Sequence, residues 1–410
     1  MKNLWIFNHY ANDPSGSGGT RHYHLAEKLK FQGWDTVIIA ASSELNTSLQ
    51  RLNFPSISKL SKIENVKFLW IYAPNYIGNG LMRCLNILSY CILSFLKCVF
   101  SPPSNPHLII GSSVHPFAAL LGLILSRYFK VPFVFEVRDL WPQTLIDLGR
   151  IRETSLIASF LKRVELLLYN NSNGIITLLP NAYEYITALG IDKNLIYWVP
   201  NGVDLSIFPP PAKRALVKSE TFNLMYFGAH GLCNGLDILL QAMKLMQSHG
   251  NNSQIKLTLV GDGPLKPSLI RKANELGLKN VIFMDPVPKN KIHDISSNTD
   301  AFIFNLLDVP VFRYGISSNK LFDYMALQKP IIFCCDASNN PVRDSGSGIS
   351  VHSGSPELLF KAIIEMSTYP AEKRLEMGRL AREYVEKNHD FDILASRLSE
   401  ILLKISNKQR

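Results

Sequence analysis

Four clusters of residues have the types and spacing to bind anions, sugar hydroxyls or a departing phosphate. The first is SGSGGTRHYHLAEKL, where Gly16, Gly18 and Gly19 follow an apolar run and precede a helical one. Glycines there permit tight turns and close backbone approach, and the next helix offers N–H groups to an anion. A plain strand-to-helix turn accounts for the same residues, and the spacing is not the GxGxxG of a dinucleotide site. The second cluster joins His115 in SSVHPFAAL with Glu136, Arg138 and Asp139 in FEVRDLWPQ. The histidine is open to a structural or a ligand-contacting role, and the two acids around an arginine to a closed ion-pair cluster or a site. The third is FGAHGLCNGLDILLQAM, in which Gly228, Gly231 and Gly235 form a loop suited to cradling a diphosphate. Gly261, Asp262 and Gly263 make a sharp turn soon after it. The fourth, RYGISSNKLFDYMALQKPIIF, sets Lys320 and Asp323 at the start of a helix. A carboxylate there can accept both hydroxyls of a ribose, while the lysine or the helix N-terminus faces phosphate.

The elements that position these clusters are short apolar strands alternating with helices. LWIFNHY, TVIIAAS, HLIIGSS, FVFEVRD and GIITLLP read as strands, with helical stretches such as Thr20 to Gly33 and Phe117 to Phe129 between them. FNLMYFG, KLTLVGD, VIFMDPV, AFIFNLL and PIIFCCD repeat the pattern in the second half. Such alternation predicts parallel sheets, whose ligands bind beyond the carboxyl ends of the strands, where all four clusters fall. A chain of 410 residues suits two domains. VPNGVD and the run Pro209, Pro210 and Pro211 mark the boundary. The expected division is a first domain over 1–203, a linker over 204–221 and a second domain over 222–385. A C-terminal helix over 386–410 is left free to pack back on the first domain.

Six scattered cysteines argue against a disulfide framework or a structural zinc site and fit a reducing compartment. The apolar run at the N-terminus is too short for a signal peptide and reads as a buried strand. Asp390 and Asp392 form an Asp-x-Asp, but Asp390 ahead of the final helix reads as its N-cap, and no metal site is expected. The net charge is +10, and residues 44–134 hold eight Lys and Arg against Glu44 and Glu64. A solvated basic face, nucleic acid and an acidic membrane are the competing explanations. Leu81 to Phe100 bears on that choice, because it is strongly apolar. Its uncharged stretch between Arg83 and Lys97 is too short to cross a bilayer, which takes about 20 residues. Cys84, Leu88, Cys91, Phe95 and Cys98 recur at helical spacing. A buried helix and an interfacial helix both remain open, and membrane is preferred to nucleic acid as the anionic partner.

Taken in order, RHYHLAEKL after its glycine-rich loop, DLWP, VPNGVD, GLDILLQA, LVGDGPLK and KLFDYMALQKPII resemble the retaining glycosyltransferases of family 4. The chain is most similar to their bacterial O-antigen and capsule enzymes, over nearly its whole length. The resemblance implies an α/β, GT-B fold: two Rossmann-like domains with parallel sheets facing a central cleft. It implies transfer of a hexosyl or hexosaminyl group, with retention, from a UDP- or GDP-sugar to a polyprenyl-diphosphate-linked saccharide, without a cofactor. The expected location is cytoplasmic, on the inner face of the plasma membrane. Catalysis would fall to His115, matching the family's donor-sugar histidine, and to Asp139. The donor would be held by Gly18, Gly19, Gly228, Arg313, Lys320, Leu321 and Asp323, with Phe322 helping to floor the nucleotide site. Arg21, Glu136 and Arg138 would meet the acceptor. Asp323 matches the second acid of the Glu-x7-Glu signature, but Gly315 stands where the first glutamate belongs. The basic pair of the loop after the first strand of the second domain is also missing, with His230 and Asn234 nearby instead. A nucleotide-sugar 2-epimerase of the same fold and a non-catalytic glycan- or membrane-binding subunit are the alternatives.

Overall fold

A computed structural model of the chain describes residues 1–15, 19–44, 49–76, 78, 80–113, 115–209, 221–249 and 254–407. The chain forms two compact units. The first comprises Met1–Asn201, Tyr314–Ser317 and Phe391–Arg410, and the second Gly202–Arg313 and Ser318–Asp390.

The first unit runs β1 (Lys2–Phe7), α1 (Arg21–Phe31), β2 (Trp34–Ala41), β3 (Ser58–Ile63), β4 (Val66–Ile71), α2 (Leu81–Phe100), β5 (Leu108–Ser112) and α3 (Pro116–Phe129). It continues through β6 (Phe133–Val137), α4 (Gln143–Asp147), α5 (Leu156–Asn170), β7 (Gly174–Thr177), α6 (Ala182–Ala188) and β8 (Ile196–Trp198). The sheet order is β3-β4-β2-β1-β5-β6-β7-β8, parallel except for β3. Central strands such as β2, WDTVIIAA, are buried almost throughout, as a sheet covered on both faces requires. The edge strand β3, SKLSKI, instead exposes Lys59 and Lys62, which discourages pairing with another edge. Right-handed crossovers put α1 on one face, because β1 to β2 steps one way across the sheet. The steps from β4 to β5, β5 to β6 and β6 to β7 run the other way, so α2, α3 and α5 cover the opposite face in a row.

In α2 the usual amphipathic order is reversed. Its buried stripe is Asn86, Tyr90, Ser94 and Cys98. The Asn86 amide donates to Ser43 Oγ and the Pro74 carbonyl, both at 2.7 Å, and Tyr90 donates to the Ile39 carbonyl at 2.8 Å. Leu81, Leu85, Leu88, Ile92 and Leu96 face outward instead, each at least 40% exposed.

The second unit carries β9 (Phe222–Phe227), α7 (Leu236–Ser248), β10 (Ile255–Val260), α8 (Lys266–Glu275), β11 (Val281–Met284), α9 (Ile292–Ile295) and β12 (Ala301–Asn305). Then come α10 (Asn319–Ala326), β13 (Ile331–Cys334), α11 (Pro341–Ser345), β14 (Gly348–Val351), α12 (Pro356–Thr368) and α13 (Ala371–Asn388). Its sheet is parallel, in the order β11-β10-β9-β12-β13-β14. Leu239, Met243, Leu257, Ile303 and Ile363 lie in one core between sheet and helices.

The last helix, α14 (Phe391–Asn407), belongs to the first unit. Phe391, Leu394, Leu398, Leu402 and Ile405 share a core with Leu4, Ile6, Leu25 and Leu29, and Trp34 Nε1 donates to Ser399 Oγ at 3.1 Å. Burying those five side chains contributes roughly 1.5–3 kcal/mol each.

Candidate active site

Two buried polar networks lie at the carboxyl edge of the first unit's sheet. One centres on Glu136 at the end of β6. Arg21 Nε donates to Glu136 Oε1 at 3.0 Å, His22 Nε2 lies 2.7 Å from Oε2, and Ser112 donates to Oε2 at 2.8 Å. Arg21 also donates to the carbonyls of Val199 and Pro200, tying α1 to the chain beyond β8. Burial works to raise the Glu136 carboxyl, but His22 and Arg21 outweigh it and hold the group well below the ordinary range. Expected at the acceptor, Arg21 and Glu136 instead sit in the interior, each 2% exposed and spent on the other.

The other network joins His115, after β5, to His9, after β1. His115 Nε2 lies 2.7 Å from His9 Nδ1, and His9 Nε2 lies 2.8 Å from Asn86 Oδ1 on α2. His115 Nδ1 accepts from the Ala118 amide at 3.3 Å, capping α3. Both nitrogens of His115 are therefore engaged, and neither is presented to a sugar. Burial, with Arg83 nearby, holds His115 down at about 3. Arg138 is half-buried, its amide donating to Ser113 Oγ at 2.9 Å, while Asp139 is exposed. The protein around Asp139 nevertheless pushes its carboxyl up, only partly offset by Arg138. Gly19 has φ 70°, and a Cβ there would meet the Tyr10 carbonyl at 2.6 Å. Gly18 lies outside the described residues.

In the second unit the fourth cluster splits between two jobs. Lys320 reaches the loop after β9, where its ammonium donates to Asn234 Oδ1 and, at 3.2 Å, to the Tyr226 hydroxyl. It stands 4.8 Å from the Tyr226 ring centre and 5.0 Å from that of Phe304. Burial lowers this lysine to about 7. Asn234 immediately precedes Gly235, the N-cap of α7, and neither Gly235 nor Ser318 at the head of α10 gives its helix a side-chain cap. Lys320 thus joins two helix N-termini that lack side-chain caps, the arrangement that attracts a phosphate. Gly228 lines the same place: a Cβ on it would come within 3.2 Å of Lys320 Cδ. His230 is fully buried in this loop with no partner on either ring nitrogen. Burial, and then Lys266, lower it to about 4.

Asp323 turns the other way and meets Lys289 at 2.8 Å. Burial raises its carboxyl, and Lys289 opposes the shift. Leu321 and Phe322 are packed in the interior, Phe322 against the ring of His389 with centroids 3.8 Å apart. Arg313 is exposed at the end of a short helical turn.

The family described as Glycosyl transferases group 1 matches residues 221–368, and Glycosyltransferase Family 4 matches residues 18–207. Between them they take in every strand of the two sheets but β1. The chain belongs to the GT-B glycosyltransferases. A probable glycosyltransferase, WbjE of Pseudomonas aeruginosa, is 20% identical over 293 residues, 68% of this chain and 70% of that one. Sucrose-phosphate synthase from Thermosynechococcus elongatus superposes with a TM-score of 0.75 at 16% identity, over 99% of each chain. HepE of Anabaena in complex with UDP-glucose gives 0.65 at 14% identity, over 98% of this chain and 100% of that one.

Against that family, the departure at Gly315 has a backbone reason: its φ of 95° strains any residue with a side chain. The transferase's missing basic pair coincides with the place that Lys320 reaches. His9, Asn86, His22 and Lys289 were not singled out from sequence. His9 and His22 sit beside motifs and could have been; Lys289, in a polar PKNKI loop, carries no local signal.

Proposed function

We propose that this glycosyltransferase takes its sugar from a nucleoside-diphosphate donor, UDP- or GDP-linked, and transfers a hexosyl or hexosaminyl group with retention. The acceptor is a saccharide on polyprenyl diphosphate, in the synthesis of O-antigen or another bacterial surface polysaccharide. The observation that carries the donor half is Lys320 at the two uncapped helix starts, with Asp323 one turn further along α10. As the bond from the anomeric carbon to the phosphate oxygen breaks, negative charge develops on the diphosphate. A fixed cation and N–H dipoles stabilise that charge without reorganising. The carboxylate of Asp323 suits the ribose hydroxyls once Lys289 yields it. On the first unit, the exposed Asp139 can take or return a proton, whereas His115 acts by holding the loop that begins α3. HepE bound to UDP-glucose supports a nucleotide sugar for the shared fold, and the likeness to WbjE, a probable glycosyltransferase, supports sugar transfer. The outward leucines of α2 favour a lipid-borne acceptor.

The test is a screen of nucleotide sugars for release of free nucleoside diphosphate, with a polyprenyl-linked acceptor present and absent. Release that requires the acceptor, with the new linkage keeping the donor's anomeric configuration, is the expected result. Isomerised donor without release points to a 2-epimerase, and no turnover with any donor points to a silent subunit.

A further inference from the structure

We propose that the row of helices α2, α3 and α5 is a seat on an anionic lipid bilayer, on which the protein lies without crossing it.

Among the described residues, α2 is the one helix long and apolar enough to cross a membrane, yet only 22% of its apolar window is buried. A core helix would hide its leucines and expose its polar residues. This helix does the reverse: Asn86 and Tyr90 are hydrogen-bonded into the domain, and the leucines are turned out. A spanning helix would have to withdraw Asn86 and Tyr90 from those partners and carry them into hydrocarbon, where unpaired polar groups are costly. With its polar stripe fixed to the sheet, α2 can enter lipid only along its outer side, lying flat as interfacial helices do.

The apolar surface does not end with α2. Ile124 and Tyr128 are exposed on α3, and Leu156, Ile157 and Phe160 on the first turns of α5. These helices pack in sequence, α2 on α3 and α3 on α5, so their outer sides form one broad face. An apolar surface of this breadth on a water-soluble protein marks a contact site.

Charge decides what covers it. From Leu81 to Phe135 the chain contains no Asp or Glu, while Arg127 and Lys130 are exposed beside Ile124 and Tyr128 at the end of α3. A second copy meeting this face across a two-fold axis would set these cations against themselves. A bilayer with anionic headgroups takes the apolar side chains and the cations together. The lysines of β3 and β4 are elsewhere: Lys67 is paired with Asp35 at 2.6 Å, and Lys59 and Lys62 stand on the sheet edge. The seat goes beyond the proposed chemistry and can fail without it.

Flotation with vesicles of phosphatidylcholine and phosphatidylglycerol in equal parts tests the seat on the full chain. Leu88→Glu/Ile92→Glu on α2, and separately Leu156→Glu on α5, should each weaken binding by roughly tenfold or more. The melting temperature should stay unchanged, since all three side chains are exposed. Leu375→Glu, an exposed leucine of the second unit, should bind as the parent does. Pure phosphatidylcholine should hold the protein far less, and high salt should strip much of it from the mixed vesicles. Unchanged flotation of the α2 and α5 variants overturns the proposal. So does equal binding to neutral vesicles, or retention through an alkaline wash, which would mean a spanning helix. A concentration-dependent dimer abolished by the same substitutions, with no vesicle binding, assigns the face to a second copy. Transfer to a water-soluble acceptor, measured alongside, separates the two readings: a variant that loses vesicles but keeps that turnover supports the seat. An enzyme that floats but never turns over leaves the seat intact and removes the proposed chemistry.

Discussion

His115 and His9 share a proton whose direction is fixed from both ends of their chain. The Ala118 amide can only donate, so His115 Nδ1 accepts and its proton sits on Nε2, aimed at His9 Nδ1. At the far end the Pro74 carbonyl can only accept, so the amide nitrogen of Asn86 faces it and Oδ1 faces His9 Nε2. His9 must then carry its proton on Nε2, which agrees with the first assignment. Both rings are neutral, and protonating either turns an acceptor into a donor opposite another donor.

Acid should therefore destabilise the protein through this pair. Burial and His115 hold His9 well below 6.5, and burial and Arg83 hold His115 at about 3. A folded-state value below the unfolded one gives stability that is present above pH 6.5 and lost as the pH falls beneath it. By pH 5 His115, held at about 3 against an unfolded value near 6.5, should have cost about 2 kcal/mol, and His9 adds to the loss in the same direction. Urea melts between pH 7 and 5 should show this decline, and a His9→Gln/His115→Gln double variant should be weaker at pH 7 but flatter. Parallel slopes for the two proteins would sink the tautomer assignment.

Arg21→Met should act on folding rather than on acceptor binding. It leaves Glu136 buried with His22 and Ser112 as its side-chain hydrogen-bond partners, and stripping one side of a buried ion pair costs about 3–5 kcal/mol. Denaturant titration measures that loss. A raised acceptor KM at unchanged stability would return Arg21 to the acceptor.

Asp323→Ala should weaken nucleoside-diphosphate binding by about 1.5–3 kcal/mol, the worth of hydrogen bonds to a charged group. Lys289→Ala is the more discriminating variant. Ribose binding needs the carboxylate, so affinity should fall as pH drops through the raised value of Asp323. Lys289 opposes that rise, so its removal should move the fall to higher pH. Calorimetric titration of UDP and GDP from pH 5 to 8 decides it; coincident profiles mean the lysine does not govern Asp323.

Lys320→Met should weaken a nucleoside diphosphate far more than the free nucleoside. Because the unliganded ammonium titrates at about 7, diphosphate affinity of the parent should decline as the pH rises above that value. Nucleoside affinity should not follow. A diphosphate profile flat to pH 9 would remove Lys320 from the phosphate site.

Turnover is expected to persist in excess chelator. Among the described residues no three His, Cys, Asp or Glu gather as ligands, and Asp392 is paired with Lys28 at 3.2 Å. Activity abolished by EDTA and restored by magnesium or manganese would contradict this.

The ten strands named from sequence are all present, because buried parallel strands announce themselves as apolar runs between glycine and polar turns. Three of those not named lacked that signature: β3 is polar and exposed, β8 is three residues long, and β14 is the half-buried GISV. The fourth, β4, is the buried run VKFLWI, which carries the signature and was legible. Glycine loops and the Lys320–Asp323 helix start were legible because their chemistry is local. What could not be read was partnership. Arg21 and Glu136 are 115 positions apart in sequence, and His115 and His9 106 apart, so only the folded sheet decides that they consume each other. The orientation of α2 was hidden for a related reason: an apolar helix looks alike whether its leucines face in or out.

The place of α14 bears on how the protein is made. Phe391, Leu394 and Leu402 complete a core whose other half, around Leu4 and Leu25, leaves the ribosome before any of the second unit does. The domain translated first is thus the last that can close, and its inner surface must wait while the whole second domain is threaded out and folds. A release of the chain just before Phe391 would cost the first domain, not the second.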